Sequence, residues 1–178
     1  FRFCEFNTDG SSAMNEDREL NIALQQTLGY DWLAGRFRLR TFELFDSWAE
    51  ASLRIYRETE GAVSHPYVAI VDFMESATNN EFEIFADSYR KFGAECEICE
   101  IRKLRYRDGK LYAESGRAVD LIYRRAVTSD IMKHYDEVSD FIQAVKEEAV
   151  CLIGDFTTQI AHNKVLYRIL HHPMTREF

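Results

Sequence analysis

A chain of 178 residues, 46% hydrophobic and 13% aromatic, can bury the core of one domain, or of one domain with an appendage. Its formal charge of −8 argues against nonspecific binding of nucleic acid, because a phosphate backbone calls for a basic surface. No run approaches the roughly 20 apolar residues of a membrane span, and no basic-plus-apolar leader opens the chain, so no membrane partner is expected and the cytoplasm is the expected compartment.

The opening residues FRFCEF alternate as a strand does and run into a polar loop, Asn7-Thr8-Asp9-Gly10-Ser11-Ser12, rich in turn formers. Glu5 and Asn7 stand two apart, so an extended backbone turns their oxygens to one face, where they could reach a hard cation such as Mg²⁺. The plainer alternative is a solvated strand end, with Asp9 or Ser11 capping the next helix. That helix is expected over residues 15–28, with Leu20, Ala23, Leu24, Thr27 and Leu28 on one face and Gly29 as its stop. Residues 30–40 carry no clear period, and Trp32, Phe37 and Leu39 are expected to pack locally. Residues 41–59 form an amphipathic helix whose stripe runs from Phe42 through Phe45, Trp48, Ala49 and Leu53 to Tyr56. Such a stripe is a core face rather than a cofactor box.

From His65-Pro66 the pattern changes to alternating strands and helices. YVAIVDF (67–73) is the near-continuous apolar run of a buried parallel strand. A polar loop, a helix over 82–92 and a strand over 94–104 follow. Asp108-Gly109 between two strand-like arms signals a hairpin. A third main strand is expected at 119–123, a helix at 129–148 and a fourth strand at 150–153. The order βαβ(ββ)αβα predicts an α/β fold, a three-layer, open, mostly parallel sheet with helices on both faces. Residues 1–64 would pack as an N-terminal unit on an α/β domain at 65–178. The bare opening strand and the unclosed end suggest a piece of a longer polypeptide.

Loops that follow parallel strands gather at one edge of the sheet, where open α/β folds bind ligands. That edge would collect 75–80, 124–129 and 155–158, joined by 5–12 if the opening strand abuts the sheet. Arg124 and Arg125 stand where a buried strand stops, and Lys164 follows the next strand end. Carboxylate, amides, hydroxyls and paired guanidiniums suit a zwitterionic or peptide-like ligand with carboxylates to grip. One arginine is expected to pair instead with a structural acid such as Asp120 or Glu75. Among the four cysteines, Cys96 and Cys99 have CxxC spacing, but a strand would turn them to opposite faces. There is no GxSxG, no GxxxxGK[ST] and no GxGxxG.

EFNTDGSS after the opening strand, VDLIYRR on a later one and IGDFTTQIAHNKVLYRIL near the end resemble, in this order, segments of the ATP-grasp amide ligases that make glutathione in eukaryotes and glutathionylspermidine in bacteria. The resemblance implies the pre-ATP-grasp, Rossmann-like portion of a carbon–nitrogen ligase that activates a carboxylate as an acyl phosphate with ATP and Mg²⁺, then joins it to an amine. It implies Glu5 and Asn7 as metal ligands, and Ser12 with neighbouring Ser11 at a thiol-peptide or amino-acid substrate. Arg125 would hold a substrate carboxylate, Lys164 would contact the ATP phosphates, and Glu75 and Asn79 would border the substrate from the loop at 75–80. A glycine-rich lid and second nucleotide-binding lobe would lie elsewhere in the polypeptide, so this portion alone is expected to be inactive. A homodimer is kept open. Two departures stand out: Gly10 replaces a hydroxyl of one family, and Thr128 replaces a tyrosine expected shortly after the arginine.

Overall fold

The computed structural model describes residues 6–59, 61–75, 77 and 79–175. The expected opening strand, with Cys4 and Glu5, lies outside the described residues apart from Phe6.

Four parallel strands form the sheet: β1 (Tyr67–Asp72), β2 (Glu95–Glu100), β5 (Leu121–Arg124) and β6 (Cys151–Ile153), in the order β2-β1-β5-β6. The intervening β3 (Arg105–Arg107) and β4 (Lys110–Tyr112) make the expected hairpin, a separate antiparallel pair. Its turn residues Asp108 and Gly109 both have positive φ, 50° and 70°, as a two-residue turn matching strand twist requires. The fold is therefore α/β, with a mostly parallel open sheet covered on both faces.

Helices α1 (Met14–Leu24), α2 (Leu28–Ala34) and α3 (Phe45–Arg57) precede the sheet, and α4 (Asn79–Lys91) connects β1 to β2. Next come α5 (Thr128–Lys133) and α6 (Ser139–Lys146) between β5 and β6, then α7 (Thr158–His162) and α8 (Val165–Leu170). Strand side chains alternate between two cores, as a period of two dictates. Val68, Ile70, Leu121 and Tyr123 face α3 and α4, whereas Ala69, Val71 and Ile122 face α5, α6 and the hairpin. Because both faces are covered, β1 reads as an unbroken apolar run: Val68 to Val71 are all fully buried. Cys96 and Cys99 belong to opposite cores, as expected. The α3/α4 side is held by aromatic contacts, with the Phe85 ring 4.6 Å from Phe45 and 5.0 Å from Tyr123. Each such pair adds about 0.5–1.5 kcal/mol beyond its buried area. Helix α3, assigned above to the N-terminal unit, thus shares its core with the sheet.

Several expected boundaries are corrected. The helix expected over 15–28 stops at Leu24, where the chain turns and Thr27 caps α2 by accepting from the Tyr30 amide at 3.2 Å. Gly29 therefore lies inside a helix instead of ending one. Neither Asp9 nor Ser11 caps α1, whose cap residue Ala13 makes no side-chain bond. Helix α3 begins at Phe45 because the Glu43 carboxylate accepts from the amides of Phe45 (2.8 Å) and Ser47 (3.1 Å), which leaves Phe42 outside. The strand expected to reach residue 104 ends at Glu100, whose carboxylate accepts from the Arg102 amide and starts a 3₁₀ turn. The helix expected over 129–148 breaks into α5, a 3₁₀ turn (Tyr135–Val138) and α6. Among the described residues no helix is long and apolar enough to cross a membrane.

Candidate functional site

From β1 the chain goes outward to β2, then crosses back to β5 on the other side of β1. The crevice between the C-terminal ends of β1 and β5 is thus the point at which strand order reverses, the usual ligand position in open α/β sheets. The ends are drawn together by the amides of Arg125 and Ala126, which both donate to the Val71 carbonyl at 2.8 and 3.1 Å.

Residues 7–12 lie across this crevice as a strap. Thr8 and Thr158 exchange bonds, each hydroxyl donating to the other's carbonyl at 2.8 and 2.7 Å. The Asp9 carboxylate accepts from Arg124 Nη1 at 2.9 Å, and from the Thr128 hydroxyl at 2.8 Å and amide at 3.1 Å. The Ser11 carbonyl accepts from Arg125 Nη1, while the Ser11 hydroxyl donates to the Asn7 carbonyl. Gly10 has φ +60°, and a Cβ there would lie 2.5 Å from the Arg125 carbonyl oxygen and 2.7 Å from Val127 Cγ1. The glycine where the resembled family carries a hydroxyl is thus required by this backbone. Thr128, the other departure, is an Asp9 ligand.

Both arginines are internal. Arg124 is 1% exposed and also donates to the carbonyls of Gly154 and Ala126, with its guanidinium 4.9 Å from the Phe156 ring centre. Arg125 is 4% exposed, 3.1 Å from the Tyr123 hydroxyl and 3.4 Å from Glu81 Oε2, over the Phe82 ring. This corrects the expectation that only one would pair, with Asp120 or Glu75. A guanidinium removed from water needs a carboxylate wherever it is buried, and the fold supplies Asp9 and Glu81. Asp120 accepts instead from the Tyr67 amide at 2.7 Å, and Glu75 pairs with Arg102.

The expected site residues sort into three neighbourhoods. Asn7 and Lys164 line one pocket of about 220 Å³ with Phe6, His162 and Tyr167. Asn79 lines another, of about 260 Å³, with Asn15, Asn80 and Glu81, the carboxylate that pairs with Arg125. Glu75 borders a third, of about 310 Å³, with Phe73, Arg102 and His134. Ser11 is half-buried in the strap and Ser12 is exposed. A larger cavity, about 570 Å³, opens at the other end of the sheet beside Tyr56, Asp120 and Cys151.

Three residues of this edge escaped the sequence reading: Glu81, Arg102 and Asp72. Asp72 ends β1 as Arg124 ends β5, so a polar residue closing an apolar run was the available signal. Burial pushes its carboxyl up to about 6, against the bond from the Phe73 amide and the nearby Arg125, and with help from Asp130 and Glu100. A carboxyl held near neutrality at a crevice can exchange a proton under ordinary conditions. Asp9 and Asp155 are shifted the opposite way. For Asp9 burial is outweighed by the bonds from Thr128 and Arg124, and for Asp155 the Thr157 hydroxyl and amide dominate.

No protein-family model matches the chain, and no curated protein matches it.

Proposed function

We propose that this chain is the substrate-binding portion of an ATP-dependent carboxylate–amine ligase of the glutathione synthetase and glutathionylspermidine synthase type. The observation that carries the reading is the strap, which brings Asn7, from one end of the sequence, into a pocket with Lys164, from the other. An ammonium and an amide lining one pocket suit phosphate and a hard cation.

Among the described residues no group of three or more His, Cys, Asp or Glu could hold a metal. Mg²⁺ asks less of a protein than that, because it keeps waters and takes most oxygens from a bound phosphate. Asn7 would give one oxygen, and Glu5, outside the described residues, another. ATP·Mg²⁺, when bound, supplies the phosphoryl group that turns a carboxylate into an acyl phosphate. This chain's contribution is to orient the substrate and offset phosphate charge. The amine, a thiol-peptide or amino-acid substrate and a second nucleotide-binding lobe complete the scheme, which belongs in the cytoplasm.

Calorimetry of the chain with ATP·Mg²⁺ and with glutathione tests this. Weak ATP binding that falls at least tenfold in Lys164→Ala and in Asn7→Ala supports the assignment. Equal affinities in both variants would remove these residues from the site, and ATP turnover by the chain alone would contradict its role as a partial ligase. A second reading, a small-molecule binding or regulatory module without catalysis, is favoured by the internal pairing of both guanidiniums. Glutathione binding unaffected by ATP·Mg²⁺ would support it.

A further inference from the structure

We propose that the cavity at the N-terminal ends of β5 and β6 is a second ligand site, for a basic amino acid such as lysine, whether or not the ligase reading above holds. It encloses about 570 Å³, more than any of the three pockets at the strap edge. That volume lies within the roughly 300–1,000 Å³ of small-molecule sites. Its floor is built where β5 and β6 begin. The Tyr67 amide donates to Asp120 Oδ2 at 2.7 Å, the Asp120 amide donates to the Tyr67 carbonyl at 2.9 Å, and the Cys151 amide donates to the Asp120 carbonyl at 3.1 Å. The hairpin is tied to this floor by the Val119 amide, which donates to the Leu111 carbonyl at 2.8 Å and so brings Lys110 to the cavity. The chain leaving α3 supplies another wall, where the Tyr56 hydroxyl accepts from the Val63 amide at 3.0 Å. Gly61 and Gly109 also line the cavity, and a Cβ on either would meet nothing within 4 Å, so bare backbone leaves room for a guest.

Charge selects the occupant. Asp120, Glu148 and Lys110 line the cavity, and none of them makes an ion pair among the described residues. Other carboxylates withdrawn from water in this chain do so: Asp9, Glu81 and Glu100 each meet an arginine. Arg117 lies close enough for Asp120 to act on its charge, but both its terminal nitrogens are committed to Glu95, at 3.1 and 2.8 Å. Asp120 is half-buried and its carboxylate is aimed by the Tyr67 amide, so it is a fixed anion with no counterion, a state that a bound cation relieves. Glu148 and Lys110 are exposed, with side chains free to close on the ends of a ligand. Two anions and one cation are the complement of two cationic groups and one carboxylate, which is the charge set of lysine or arginine. Tyr56, Val119 and Val150 offer apolar surface for the methylenes between those charges. A neutral amino acid would leave one carboxylate unmatched, and a diamine would leave Lys110 beside like charge.

Calorimetry tests this with L-lysine, with norleucine, which lacks the side-chain ammonium, and with cadaverine, which lacks the carboxylate. Lysine is expected to bind, and the other two at least tenfold more weakly. Asp120→Asn keeps an acceptor for the Tyr67 amide while removing the charge, and should weaken lysine binding at least tenfold. Glu148→Gln and Lys110→Met change exposed side chains, so the fold survives them, and each should weaken it several-fold. Lys164→Ala, in the pocket at the strap edge, should leave lysine binding unchanged, which separates this site from the one proposed above. An unaltered chain that takes up no lysine at about 10 mM, a concentration that reveals even millimolar affinity, would overturn the proposal. So would norleucine or cadaverine binding as tightly as lysine, unchanged lysine affinity in both the Glu148 and Lys110 variants, or loss of lysine binding in Lys164→Ala.

Discussion

Replacing Asp9 with alanine strands the Arg124 guanidinium, whose side chain is fully buried, beside the Thr128 amide and hydroxyl, which lose the same acceptor. Removing one partner of a buried pair costs about 3–5 kcal/mol, because the remaining charge has neither water nor counterion. A domain of this size is stable by about 5–15 kcal/mol in total. At roughly 2–4 °C per kcal/mol, the melting temperature should fall on the order of 10 °C. Urea unfolding followed by far-ultraviolet circular dichroism measures the loss, and Asp9→Asn, which keeps one acceptor, should lose less. In a cycle with Arg124→Met the two substitutions should couple by about 1–3 kcal/mol, since either one already removes the pair. The acid limb provides a second check. The Asp9 carboxyl titrates below its ordinary 3.8 in the folded chain, so its contribution is present above that pH and disappears as pH falls through the folded value. Asp9→Ala should therefore lack that component of acid unfolding. A loss within about 0.5 kcal/mol, the range of a neutral surface change, would refute the claim that this pair fastens the strap.

Gly10→Ala should destabilise by about 2–4 kcal/mol, combining a strained positive φ with overpacking against Arg125 and Val127, and should increase proteolytic nicking of residues 7–12. Asp72, raised to about 6, opposes folding once ionised. Stability should thus decline as pH rises from about 4 through 6, and Asp72→Asn should abolish that slope and gain about 1–2 kcal/mol at pH 8 by urea titration. Glu81→Gln should lower the melting temperature but enlarge the rise produced by glutathione, because a substrate carboxylate no longer competes with an internal one for Arg125. Equal ligand-induced shifts in the altered and unaltered chains would exclude Arg125 from substrate contact.

What was legible in the sequence followed from local pattern. YVAIV reads as a strand covered on both faces, and Asp108-Gly109 as a tight hairpin turn, because each reading depends on neighbours along the chain. Arginines at the end of β5 were visible for the same reason. Their partners were not, since Asp9 lies 115 positions from Arg124 and Glu81 lies 44 from Arg125. Asp120 and Glu75 looked equally suitable by charge. Which carboxylate meets a buried guanidinium is decided by how the strap crosses the sheet, and no local period encodes that path. Helix α1 shows the converse limit: a face of Leu20, Ala23 and Leu24 has a period but carries no information on whether anything covers it.

The pairing changes where recognition can occur at this edge. Both guanidiniums at the end of β5 serve first to hold the strap, Arg124 through Asp9 and Arg125 through the Ser11 carbonyl. The two are held unequally. The Arg124 contact is 2.9 Å from a carboxylate that also has two bonds from Thr128, whereas Glu81 stands 3.4 Å from Arg125 and borders the pocket containing Asn79. A charge-assisted bond is ordinarily 2.7–2.9 Å, so the Arg125 contact is the weaker and the easier to exchange. An anionic group entering beside Asn79 would compete with Glu81 for Arg125, while one directed at Arg124 would have to dismantle the strap. Selectivity between two adjacent, identical side chains would then come from the carboxylate each one already holds.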